Sequence, residues 1–339
     1  MNATTTRALT WIEDGEEQEV RLTDSLKGRS ILTDLSLSPE ERLAILDTAA
    51  MLKRTRNKQI SHMWLMGKTL GMIFQHPSTR TRTAFQAGME QMGGQAIFLG
   101  AQDLQMKRGE TVGDTAAIIS RYVDAIAIRI ADPAELMDFA RGATVPVFNA
   151  LTSKDHPLEA MSDVFALREH FGTLENLTFA YLGDGNNMCH SLMLSMLGSG
   201  VNVNVASPNA FGPDPQVVSA AQALAAQTGA RLQMFGTARE AVRGVDAVYT
   251  DVHESMGSTV IPGKLIALAP YRVTQEIMEM AKPEAVFMHC LPLHRGQEVE
   301  PEVADGLQSI IFDQAEARLH VHKAVLLQVL HDDRNPFSS

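Results

Sequence analysis

The chain has 339 residues, 45% of them hydrophobic and 20% charged, with a formal net charge of −11. That length exceeds one ordinary core and predicts two domains of roughly 150 residues each. The acidic balance excludes nucleic acid as the main partner, so any anion has to be met by a local positive pocket, the signature of a small-molecule ligand. No apolar run reaches the ~20 residues of a membrane span. Met1–Val20 carries Glu16, Glu17 and Glu19 and no apolar signal region, and two cysteines make no disulfide framework. A cytoplasmic protein without a membrane segment is expected.

Residues 1–27 show no clear periodicity and read as an extended or frayed arm. The first helix opens at Ser38-Pro39-Glu40-Glu41, with serine as N-cap, proline at the first helical position and Glu41 closing a capping box; Leu43, Leu46 and Ala50 give its apolar face. Short apolar runs at 70–74, 96–99, 125–129 and 145–148 then alternate with helices reaching Met92, spanning 113–122 and opening at Asp132-Pro133. A long helix over 157–171 reads as the connection between domains, after which the pattern restarts. Strands are predicted at 179–182, 201–206, 232–235, 247–250, 285–289 and 309–312, with helices at 187–197 and 214–227 and a closing helix at 314–330. This alternation is the βαβ signature. It predicts an α/β protein of two doubly wound parallel-sheet domains, divided at 155/156, with the active site in the cleft between them.

The candidate chemistry falls at strand ends, where ligands bind such sheets. Ser78-Thr79-Arg80-Thr81-Arg82-Thr83 joins a strand to a helix. It offers backbone N–H groups, hydroxyls and guanidinium forks to a phosphate or carboxylate, against the equally weighted reading of a capped helix with solvated arginines. Arg129, Asn149, His156, the turn 183–187, Asp251–Gly257 and His289-Cys290-Leu291-Pro292 end other strands. Singly each has a structural explanation; collected at strand ends, they point to a site. The turn at 183–185 lacks the spacing of a dinucleotide loop, no C-x-x-C or H-E-x-x-H spacing marks a metal site, and no G-x-x-x-x-G-K-[ST] or G-x-S-x-G motif occurs. No cofactor is expected.

From about Leu26 to Leu330 the chain resembles the carbamoyltransferase superfamily, in its ornithine branch. The resemblance rests on S-T-R-T at 78–81, H-P-L-E at 156–159, D-G-N-N at 184–187, D-V-H-E-S-M-G at 251–257, H-C-L-P at 289–292 and A-R-L-H at 317–320. It implies a carbamoyl phosphate-binding domain at 1–155 and an amino acid (ornithine)-binding domain at 156–339. The implied reaction carries the carbamoyl group to the δ-amine of L-ornithine, giving citrulline and phosphate in arginine metabolism. Ser78, Thr79, Arg80 and Thr81 would hold the phosphate with Arg129, and Gln105 would reach the phosphate of a neighbouring subunit in a homotrimer. Arg129, His156, Thr81 and Arg318 would polarise the carbonyl, and the carbonyls of Cys290 and Leu291 would accept from the carbamoyl NH₂. Asn187, Asp251, Ser255 and Met256 would bind the amino acid, with Asp251 and Cys290 orienting its amine. Arg129, His156, Asp251, Cys290 and Arg318 are thus the expected catalytic groups, with Cys290 a positioning residue rather than a nucleophile.

The chain departs from the family pattern at Glu159, where glutamine is usual. It also departs at His253 and Glu254, at Ser258-Thr259-Val260, and at Gln75-His76-Pro77. A carboxylate at 159 still accepts a hydrogen bond from the carbamoyl NH₂ but adds negative charge near the phosphate. These departures keep two alternatives open: a different acceptor amine (putrescine, a shorter diamino acid or a modified ornithine), and a non-catalytic binding paralogue.

Overall fold

The computed structural model describes residues 6–100, 104, 109–254 and 261–332. They belong to two compact units, Met1–Leu158 with Arg318–Ser339, and Glu159–Ala317. Residues 318–330 of the closing helix therefore group with the first unit, whereas the sequence boundary places them in a domain spanning 156–339.

The first unit begins with an antiparallel hairpin, β1 (Thr6–Glu13) and β2 (Glu16–Thr23), followed by α1 (Pro39–Asn57). Then come β3 (Thr69–Phe74), α2 (Thr79–Gln91), β4 (Gln95–Gly100), α3 (Val112–Ile119), β5 (Ala125–Arg129), α4 (Pro133–Gly142) and β6 (Val147–Leu151). The sheet is fully parallel in the order β4-β3-β5-β6. Helix α5 (Pro157–Phe171) leads into β7 (Thr178–Leu182), α6 (Asn187–Gly198), β8 (Asn202–Ala206), α7 (Pro215–Thr228), β9 (Leu232–Phe235), α8 (Ala238–Ala241) and β10 (Ala247–Thr250). The short helices α9 (Lys264–Leu268) and α10 (Gln275–Met278), the strand β11 (Val286–Met288) and the helices α11 (Pro301–Ala304) and α12 (Ile311–Leu330) complete it. The second sheet is also parallel, in the order β11-β10-β7-β8-β9. No helix among the described residues is long and apolar enough to cross a membrane.

Both sheets are doubly wound, as expected. In the first, β3 connects outward to β4 and β5 connects the other way to β6, so the strand order reverses between β3 and β5. In the second it reverses between β7 and β10. A crevice opens at the carboxyl ends of such a strand pair because their connections leave on opposite sides.

Three expectations are corrected. The frayed arm is the β1–β2 hairpin: Asp14 (φ 54°) and Gly15 (φ 85°) form the left-handed two-residue turn that matches strand twist. Its inner face buries Leu9, Trp11, Val20 and Leu22. Arg7 then donates to the carbonyl oxygens of Gln328 (3.1 Å) and His331 (2.6 Å), capping the end of α12. In α1 the capping box at Ser38 and Glu41 forms as expected, but Leu43 is 47% exposed. The buried stripe is Ile45, Leu46, Ala49 and Leu52, one helical turn apart. Finally, Ser309–Phe312 is no strand. Ser309 makes a single bridge to Phe287 and the chain enters α12 at Ile311.

The core of the first unit holds an unusual amine. Lys323 on α12 is fully buried; its Nζ lies 2.6 Å from His62 Nε2 and 3.1 Å from Gln91 Oε1. His62 Nδ1 sits 2.8 Å from the carbonyl of Ile60, which makes Nδ1 the protonated nitrogen and Nε2 the acceptor. Burial, with the charge of Arg56 behind it, brings the Lys323 ammonium down to about 7. In the unfolded chain it returns to its ordinary value near 10.5. Below pH 7 both states carry the proton and the burial cost is fully present. Between pH 7 and 10.5 unfolding takes up a proton, so stability rises with pH at up to about 1.4 kcal/mol per unit. Urea titrations should therefore show wild-type stability climbing from pH 6.5 to 9 relative to Lys323→Met; parallel pH dependences would show that the amine is not perturbed.

Candidate active site

In the first unit, β3 and β5 are in register at Phe74 and Arg129, and Gln75 N–H donates to the Arg129 carbonyl at 2.9 Å. The two ends of the switch point are thus tied together. After β3 the chain turns through Pro77 and Ser78 into α2, with Thr79, Arg80 and Thr81 as its first three residues. Ser78 is the N-cap by position, yet its hydroxyl makes no capping hydrogen bond and the first turn contains no acidic residue. Those features favour the anion reading of this turn over the plain capped helix. Thr81 is buried, whereas the Arg82 guanidinium stacks 3.6 Å over the Phe98 ring, a structural role. A hollow of about 480 Å³ borders Gln75, Ser78, Thr79 and Arg82.

His156 reaches the same unit through a turn built after β6. Asn149 Nδ2 donates to Asp155 Oδ1 (2.6 Å) and to the Leu32 carbonyl (2.9 Å), and Thr152 Oγ1 donates to Asp155 Oδ1 (2.8 Å). Asn149 therefore shapes the turn that presents His156. The imidazole is 5% exposed. Burial, then the charges of Arg318, Arg129, His322 and Arg80, hold it well below the ordinary histidine range. At neutral pH it is an uncharged hydrogen-bonding group among guanidiniums. Arg318 enters this cluster from α12 and is 3% exposed; one turn on, His322 stacks on Phe85 of α2 with ring centroids 4.0 Å apart.

In the second unit Asp251 directly follows β10 and is 5% exposed. Asn186 Nδ2 donates to its Oδ2 at 2.7 Å and the Cys290 thiol donates to its Oδ1 at 3.2 Å. Asn186 also caps α6, accepting from Cys189 N–H at 3.0 Å, so the residue held against Asp251 is also the helix start. Asn187, the expected ligand, is the next residue and the first of α6; it is Asn186, in the same D-G-N-N run but not among the expected site residues, that holds Asp251. Cys290 keeps part of its surface exposed, yet burial of its thiol and the charges of Asp251, Glu159 and Asp163 push it well above the ordinary thiol range. It is a protonated donor, unsuited to nucleophilic attack. Glu159 is itself buried, and its charge also helps push the Tyr249 hydroxyl up.

A set of buried hydrogen bonds holds the H-C-L-P segment. Gln314 Oε1 accepts from His289 N–H (2.8 Å), its Nε2 donates to Asp163 Oδ1 (2.7 Å), and Tyr249 OH donates to Asp163 Oδ2 (3.0 Å). Leu291 adopts φ 60°, and its N–H donates to His289 Nδ1 at 2.9 Å. His253 is buried, and burial lowers it to about 4 despite nearby Glu298 and Asp251, so it is neutral. Asp251, His289 and Cys290 bring donor atoms within 4.8 Å of one another, a grouping a metal ion would need. Each is engaged internally by the hydrogen bonds just given. A hollow of about 520 Å³ between Ser207 and Gly236 has no ionisable side chain in its lining and lies apart from these residues. Gln105, Ser255 and Met256 lie outside the described residues.

The two parallel sheets and their switch-point residues define the class, and the chain belongs to the aspartate/ornithine carbamoyltransferase family. Residues 29–169 match that family's carbamoyl-P binding domain and residues 175–329 its Asp/Orn binding domain. The hairpin β1–β2 precedes the first matched residue. Among particular proteins, the chain is 44% identical over 307 residues to the ornithine carbamoyltransferase of Pyrococcus abyssi, covering 90% of this chain and 97% of that protein. It is 44% identical over 308 residues to that of Bacillus subtilis, covering 91% and 95%. The structure of ornithine carbamoyltransferase from Pyrococcus furiosus superposes with a TM-score of 0.88 at 43% identity, covering 91% of this chain and 99% of that one. That of the Giardia lamblia ornithine transcarbamoylase gives 0.81 at 32%, covering 91% and 99%.

Proposed function

We propose that the protein transfers the carbamoyl group of carbamoyl phosphate to the δ-amine of L-ornithine, releasing L-citrulline and phosphate. The observation that carries this reading is the cluster of Arg80, Arg129 and Arg318 around the neutral His156, at the switch point of the domain matched to carbamoyl-P binding. Ser78, Thr79, Arg80 and Thr81 take the phosphate at the start of α2. Arg129, His156 and Arg318 polarise the carbonyl, donating to its oxygen as negative charge develops there. The neutral amine attacks, the C–N bond forms, and the C–O bond to phosphate breaks, the phosphate leaving with the electron pair and taking up the proton that the attacking nitrogen gives up. No covalent enzyme intermediate is needed, in keeping with a protonated Cys290. Asp251, held by Asn186 and Cys290, meets the amino-acid substrate, with Asn187, Ser255 and Met256.

Leu291, Cys290 and Glu159 take the carbamoyl NH₂, and Gln105 acts across a homotrimer in the cytoplasm. Exposed apolar side chains on and after α3, Ile118 and Tyr122, support an interface there.

Acceptor identity is tested with an amine panel. Purified protein with carbamoyl phosphate should form ureido product from ornithine at least tenfold faster than from putrescine, lysine or 2,4-diaminobutyrate. Preference for another amine would replace ornithine in this reading. Binding of carbamoyl phosphate without any turnover would make the protein a non-catalytic paralogue.

A further inference from the structure

The turn that follows β7 in the second unit carries a carboxylate with no part in the reaction above. Asp184 Oδ2 lies 2.6 Å from Lys264 Nζ, and the two side chains are only 8% and 13% exposed. This is an enclosed ion pair, not a solvated surface contact. Asp184 stands two residues before Asn186, the side chain that donates to Asp251. Its carboxyl is pushed up by burial, drawn down by Lys264, and pushed up again by the charge of Asp251. Asp184 and Asp251 thus share the turn 184–186, one as its own residue and the other through Asn186, and Lys264 answers the first of them.

The turn itself is fixed. Tyr181 OH donates to the Asp184 carbonyl at 2.8 Å, and Gly185 N–H donates to the Phe211 carbonyl at 2.7 Å. A Cβ on Gly185 would come within 2.2 Å of Gly212 C and Pro213 N, so only glycine permits this approach. The Phe211 ring lies 5.6 Å from Lys264 Nζ, adding a cation–π contact on another side of the amine. A rigid turn with a buried charge pair transmits the loss of either charge to its neighbours rather than absorbing it.

We propose that Lys264 is a positioning residue for the acceptor substrate: by neutralising Asp184 it leaves Asp251 as the carboxylate that meets the acceptor's cationic group, and keeps Asn186 seated against Asp251. The inference rests on the proposed function. Lys264 touches no substrate; it acts through Asp184. Without it, an ionised Asp184 competes with Asp251 for the acceptor's ammonium, and a protonated Asp184 offers a donor that pulls at the same turn.

The test compares wild type with Lys264→Met, Lys264→Arg and the double variant Lys264→Met/Asp184→Asn. Lys264→Met should raise the ornithine KM about tenfold, the scale of a lost charge-assisted hydrogen bond, with the carbamoyl phosphate KM unchanged. Lys264→Arg and the double variant should recover most of the loss, since one restores the cation and the other removes the competing charge. Equal movement of both KM values, movement of neither, or no recovery in the double variant overturns the proposal. The coupling is also read without turnover, by ¹³C-carboxyl NMR titration: Lys264→Met should raise the Asp184 midpoint by about one pH unit or more and move the Asp251 resonance with it. Unchanged Asp184 and Asp251 titrations overturn the proposal. A wild type that makes no citrulline while this NMR coupling is present counts against the proposed function and leaves the coupling standing.

Discussion

Arg129→Met is expected to lower kcat by about 10²–10³-fold, the loss typical of one preorganised donor to a developing oxyanion. It should leave the melting temperature nearly unchanged. The backbone at 129 is fixed by its register with Phe74 and by the hydrogen bond from Gln75 N–H, neither of which needs the side chain. Methionine keeps the length of the stem but removes the fork that donates. The carbamoyl phosphate KM should rise as well, because in the proposed reaction the same guanidinium serves the bound donor before the transfer. Steady-state kinetics with both substrates varied, alongside thermal melts, check this. A variant with unchanged kcat would remove Arg129 from the oxyanion site.

The second large effect is expected at Asp251. Asp251→Asn should lower kcat/KM for ornithine about 10³-fold while the affinity for carbamoyl phosphate, measured in the absence of acceptor, stays within twofold of wild type. Both oxygens of Asp251 accept, one from the Asn186 amide and one from the Cys290 thiol. An amide at 251 has only one accepting atom, so one of these donors meets an NH₂ and the local arrangement breaks. The negative charge proposed to meet the acceptor's cationic end disappears in the same substitution. Weakening of carbamoyl phosphate binding by the same factor would show that Asp251 serves the whole fold and not the acceptor.

Much of this was legible from the chain alone because the signals were local. An apolar run followed at once by Ser78-Thr79-Arg80-Thr81 places hydroxyls and a guanidinium at a helix start, and the same logic puts Arg129 and Asp251 at strand ends. What the sequence hid depends on pairing over distance. Lys323 meets His62 across 261 positions, and Gln314 meets Asp163 across 151, without periodicity or spacing to announce either. The hairpin is a different case. Asp14-Gly15 between Leu9/Trp11 and Val20/Leu22 is a strong turn signal, obscured by the acidic run at 16–19 that looks like a solvated arm. At Ser309–Phe312 two isoleucines suggested a strand, but the capacity of Ile311 to begin a helix against the core won, since packing overrides weak β-propensity. Asn186 was hidden by its neighbour: two adjacent asparagines cannot be told apart until the helix start fixes which one faces Asp251.

Carbamoyl transfer to ornithine can be followed atom by atom with ¹³C NMR. With ¹³C-carbamoyl phosphate and L-ornithine, the labelled carbon should appear in the ureido group of citrulline at catalytic enzyme concentration, with one phosphate released for each citrulline formed. Phosphate released without labelled citrulline, or label found only in unreacted carbamoyl phosphate after prolonged incubation, would contradict the claim.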